Sequence, residues 1–128
     1  MSELLHPSQM SNKDKFKALL KQVAVSAAMN AVPGTVQFIA EVGHKAYELW
    51  LASPPEERES FRAGAGELSE AERDLATAEL ARETGVGERA VVDVMVQSLQ
   101  GMRSVGDDEA LRSINATLSR ATNGQATL

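Results

Sequence analysis

Apolar residues recur at three- and four-residue intervals along almost the whole chain, and no stretch alternates apolar with polar residues as a strand would. The pattern predicts helices throughout. Phe16, Leu19, Leu20, Val23 and Ala27 make one apolar stripe, so a first helix is expected to begin after Ser11 or Asn12 and to end before Pro33. Val32-Pro33-Gly34 breaks it, because the residue before proline is pushed out of the α region and glycine accepts whatever dihedral the turn requires. A second helix, roughly residues 35–52, is expected at the centre of the bundle. Its broad face is read as Val36, Ile39, Ala40, Gly43, Ala46, Tyr47 and Trp50, with Phe38, Val42 and Leu49 beside it. Gly43, between Ala40 and Ala46, would let a neighbouring helix approach closely.

Capping signals divide the rest of the chain. Ser53-Pro54-Pro55-Glu56 reads as an N-cap, a proline opening the helix and a capping-box glutamate, and the third helix is expected to be brief, through Phe61, because Gly64 and Gly66 weaken its continuation. Ser69 to Glu72 repeats the box and opens a fourth helix to about Thr84, read with Ala71, Leu75, Ala78 and Ala81 inward and stopped by Gly85. A fifth, about 88–103, carries Val91, Val92, Met95, Val96, Leu99 and Met102. Asp107 is read as the cap of a sixth, with Leu111, Ile114, Leu118 and Ala121 in line. The expectation is thus an all-α, compact, five- or six-helix bundle, with a flexible N-terminus over 1–11, a single domain over 12–122 and a frayed tail over 123–128.

Composition narrows the function. At 128 residues and 43% apolar content the chain suits one domain with a true core. Cysteine is absent, which excludes disulfides, thiol nucleophiles and zinc–thiolate sites and favours a cytoplasmic setting. The first residues lack the apolar run of a secretory signal, and no stretch is apolar enough for a bilayer span, so Asn115-Ala116-Thr117 has no meaning as a glycosylation site. A net charge of −5 disfavours nucleic acid as a partner.

Candidate chemistry is sparse. His6 and His44 lie in no spacing that suggests metal ligation or a nucleophile–base pair, and the glycines at 64, 66, 85 and 87 form no phosphate-binding motif. No catalytic residue, cofactor or metal is therefore expected, and the chain is read as a non-enzyme. Charge is uneven, however: Lys13, Lys17 and Lys21 fall in the first helix, whereas Glu57, Glu70 and Asp74 belong to an acidic stretch. Helix capping and a solvated face account for much of that acidity. The sharper reading makes these six residues an interaction surface, the lysines of one copy meeting the acids of another.

Two resemblances bear on function. The segment Glu79-Leu80-Ala81-Arg82-Glu83-Thr84-Gly85-Val86-Gly87-Glu88-Arg89-Ala90-Val91-Val92 resembles the helix-turn-helix of DNA-binding regulators, which would place a DNA-reading unit over residues 75–103 with Arg82 and Arg89 as its cations. More broadly, the order of Val32-Pro33-Gly34, Ala46-Tyr47-Glu48-Leu49-Trp50, the Arg/Glu segment 56–62, the helix from Leu68-Ser69-Glu70-Ala71-Glu72 to Leu80-Ala81, and the 91–102 helix is similar to the N-terminal helical adaptors, death-like or effector-associated, of bacterial kinase, WD40 and STAND ATPase signalling proteins. That resemblance spans about 13–105. It implies coupling of a sensor to an effector in signalling or immunity, with another copy or a larger signalling protein as partner. No kinase, ATPase or repeat follows, so the chain is expected to be a fragment of such a protein or a stand-alone adaptor. A membrane-active bundle ranks last, because Glu41, Lys45 and Glu48 interrupt the second helix.

Overall fold

The computed structural model describes residues 10–128, and within them the chain forms six α-helices and no strand. They are α1 (Asn12–Ala28), α2 (Val36–Leu51), α3 (Pro55–Gly66), α4 (Glu70–Thr84), α5 (Arg89–Gln100) and α6 (Asp107–Ala121). The expected flexible start lies outside the described residues except for Met10 and Ser11, and Ser11 caps α1 by accepting from the Asp14 amide at 3.1 Å.

The hub of the bundle is α5 rather than α2. It packs against each of the other five helices, and seven of its twelve residues are buried, Val91, Val92, Val94, Met95, Val96, Ser98 and Leu99. A helix with neighbours over most of its circumference needs a broad apolar face, and α5 has one, with Gln97 and Gln100 left to solvent on the remaining side. The buried face of α2 is also turned from its expected position: Phe38, Val42, Gly43, Ala46 and Trp50 point inward, while Val36 is exposed. Gly43 admits the close approach foreseen for it, since a Cβ there would stand 2.5 Å from Leu118 Cδ1 of α6.

Helix α3 runs past Phe61 to Gly66. Gly64 belongs inside it because α1 crosses there: a Cβ at 64 would collide with the Asn12 carbonyl and come within 2.9 Å of Phe16 Cβ. Packing outweighs the helix-propensity cost of about 1 kcal/mol for a glycine. At its start the N-cap is Pro54 without a side-chain cap bond, and the Ser53 hydroxyl instead donates to the Leu49 carbonyl at 2.7 Å. The Ser69–Glu72 capping box of α4 is complete, and Gly85 closes that helix with φ +80°.

The face of α4 is the clearest departure from expectation. Ala76 and Leu80 are buried, whereas Ala71, Leu75, Ala78 and Ala81 are exposed. In α6, Gly106 rather than Asp107 is the N-cap; Ile114 and Leu118 are buried as expected, with Ala110, Ser113 and Thr117, while Ala121 is exposed. The tail turns back instead of fraying. Asn123 and Gly124 adopt positive φ, the Ala126 amide donates to Thr122 Oγ1 at 2.9 Å, Ala126 is buried, and the Leu128 amide reaches Asn115 Oδ1.

Candidate interaction surfaces

The three lysines singled out from sequence lie on one stripe of α1 and face α4. Lys13 Nζ pairs with Glu72 Oε2 at 2.5 Å, Lys17 with Glu79 at 3.5 Å, and Lys21 with Glu83. The numbering rises along both helices, so α1 and α4 run parallel. Glu72, Ala76, Glu79, Leu80 and Glu83 share one side of α4 at helical spacing, which explains why that side turns inward. The expected acids are elsewhere. Glu70 and Asp74 both pair with Arg89 at the head of α5, and Glu57 stands exposed beside the groove between α1 and α3. The structure therefore brings Lys13, Lys17 and Lys21 together with acids of their own chain, and does not bring Glu57, Glu70 and Asp74 into one patch with them.

The electrostatics follow the pairing. The Lys13 hydrogen bond, helped by the Ser69 amide, holds the Glu72 carboxyl down at about 2, and the same bond raises the Lys13 ammonium. Lys21 lowers Glu83 in the same way. On α6, Arg112 and the Arg103 amide hold Glu109 at about 2. Sequence reading missed Glu72, Glu79 and Glu83 as partners. A signal was present in the shared four-residue step of Lys17 to Lys21 and Glu79 to Glu83.

A second feature is a run of exposed apolar residues around the α1–α2 turn. Of the six large exposed hydrophobic residues among those described, four fall within a single short stretch: Val25 (44% exposed), Met29 (80%), Val32 (70%) and Val36. They occupy the end of α1, the α1–α2 turn and the first residue of α2. The corner is braced. Thr35 Oγ1 accepts from the Phe38 amide at 3.1 Å and donates to the Val32 carbonyl at 2.7 Å, Asn30 reaches Glu41 at 3.2 Å, and Gly34 takes φ +92°.

His44 is exposed on α2, His6 lies outside the described residues, and among the described residues no three acidic or histidine side chains are grouped to hold a metal ion. The α4–Gly85–α5 corner has the local form of a helix-turn-helix, with Val86 buried behind it. Its second helix, however, is the hub of the bundle, and Arg89 is spent on Glu70, Asp74 and Asp93. A reading helix must project into a groove with free donors, which this one does not do. No described helix is long and apolar enough to cross a membrane.

No family model, curated protein or solved structure matches this chain. The surfaces themselves thus carry the functional argument.

Proposed function

We propose that the chain is a protein-interaction module, an adaptor whose docking surface is the braced apolar corner formed by Val25, Met29, Val32 and Val36. The observation that carries this reading is the concentration of exposed large hydrophobics in that one stretch, since single apolar residues are normal on a surface while a grouped set marks a contact. The bracing matters as well. A corner fixed by the Thr35 cap and the Asn30–Glu41 bond loses little conformational freedom on binding.

The resemblance to death-like adaptors suggests the setting: a cytoplasmic link between a sensor and an effector in bacterial signalling or immunity, with either another copy or a larger signalling protein seated on the corner. The lysine-to-acid contact between copies is set aside in favour of the corner, because those lysines are engaged within the chain.

Site-specific photo-crosslinking in cells tests the proposal. A photoreactive residue in place of Met29 is expected to give a discrete protein adduct, while the same residue in place of exposed His44 gives none. An adduct of twice the chain's mass identifies a second copy, and any other discrete mass a different protein. Equal labelling from both positions, or none from Met29, would overturn the reading.

A further inference from the structure

Helix α4 differs from its neighbours in what holds it. Only Ala76 and Leu80 of its fifteen residues are buried, against seven of twelve in α5. Leu75 projects to solvent at 62% exposure. What α4 lacks in apolar contact it has in charge: Glu72, Glu79 and Glu83 on the lysines of α1, Glu70 and Asp74 on Arg89, and Arg73 near Asp93 of α5. Apart from Arg73, which is only 15% exposed, these groups are about a third or more open to solvent, and pairs of that kind are weak singly and are screened by salt. The helix also satisfies its own ends, through the Ser69–Glu72 box and the left-handed Gly85. On either side the chain is pinned by buried Leu68 and Val86, and beyond these lie Gly66 and Gly87. A segment with few buried contacts between fixed anchors is where a protein opens locally without unfolding.

We propose that α4 is a releasable strap, and that the groove it covers on α1 is a docking site for an acidic amphipathic helix of a partner protein. The argument for that occupant is the occupant already there. The groove presents Lys17 and Lys21 beside Leu20, and α4 meets them with Glu79, Glu83 and Leu80. A partner helix with the same acids and the same leucine at the same spacing satisfies the groove equally well, so α4 acts as a tethered competitor that sets the threshold for binding. This proposal stands on charge and burial and does not depend on the apolar corner.

Amide hydrogen exchange on the unmodified chain tests the release. The amides of residues 70–84 are expected to exchange through an opening of their own that becomes roughly tenfold more frequent on going from low to high salt, while those of α5 and α6 stay protected. If α4 exchanges together with α5, or without response to salt, the strap is wrong.

The groove is tested with a labelled synthetic peptide of residues 67–86 as the probe. It is expected to bind the variant Glu79→Lys/Glu83→Lys, whose own strap is repelled, at least about tenfold more tightly than the unmodified chain. Adding Lys17→Glu/Lys21→Glu to that variant re-forms the pairs with reversed sign, which should restore α4 protection and abolish peptide binding. Equal binding to all three chains would overturn the docking site, and the exchange experiment decides on the strap even if a variant fails to fold.

Discussion

The Arg58 guanidinium carbon lies 5.5 Å from the centre of the Trp50 ring, and Arg58 Nε donates to the Trp50 carbonyl oxygen at 2.8 Å. One side chain thereby caps the end of α2 and covers its largest aromatic. The same guanidinium reaches the Ser53 carbonyl at 3.0 Å, the Val105 carbonyl at 2.7 Å and Asp107 at 2.9 Å, so it joins α2, α3 and the start of α6.

Replacing Arg58 by Met should cost about 2–4 kcal/mol, since buried carbonyls would lose charge-assisted donors and the indole its cation. Arg58→Lys should recover less than half of this, because an ammonium cannot reproduce the planar fork. Urea titration followed by circular dichroism measures both, and full recovery with lysine would show that charge alone matters.

Two glycines of α3 should respond in opposite directions. Gly64→Ala drives a methyl into the Asn12 carbonyl and Phe16 and is expected to destabilise by about 2–4 kcal/mol. Gly66→Ala meets no atom within 4 Å and should stabilise by about 0.5 kcal/mol through helix propensity. Thermal melting of the two variants settles the order.

Acid should weaken the fold through identifiable carboxylates. Glu72 and Glu109 sit at about 2 in the folded chain against an ordinary 4.5, so their stabilising effect is complete above about 4.5 and is lost as the pH falls toward 2. Lys13 works in the other direction: its raised value means that its contribution is full below 10.5 and disappears as the pH climbs past the raised value. Urea midpoints measured from pH 2 to 6 should fall on the acid side, and Glu72→Gln should make that fall shallower.

The apolar corner should be energetically idle within the chain. Met29→Ser and Val32→Ser are each expected to change stability by no more than about 0.5 kcal/mol, and Val32→Ser should also remove the adduct formed by the photoreactive residue at position 29. A large loss of stability would mean that these side chains serve the core.

Helix boundaries were legible where the chemistry is local. Ser69 and Glu72 cap α4 as their spacing indicates, Gly85 stops it, and the stripe of Phe16, Leu19, Leu20, Val23 and Ala27 is buried as read. Facing was legible only where large side chains mark it. Alanines lie on both sides of α4, so its apolar pattern has no direction, and the side that turns inward carries, beside Ala76 and Leu80, the acids that pair with lysines 59 to 62 positions away in sequence. Gly64 misled for a related reason: in sequence it weakens a helix, and only the crossing of α1 shows why it is needed. The apolar corner lay in plain view as Val25, Met29 and Val32, off the stripe and beside a breaker, but exposure cannot be seen until the stripe has been given a side.

Trp50 is the only tryptophan of the chain, is 2% exposed, and sits on a helix that packs mainly against α1, α5 and α6. Its emission therefore watches one half of the molecule and is nearly blind to α4. Ellipticity, by contrast, sums over all six helices. In a chain that melts as one unit the two signals coincide; release of α4 ahead of the rest, as proposed, would make helical signal fade in mild denaturant while the indole still reports an intact interior. The protein carries a built-in optical means of telling a local opening from the collapse of the whole.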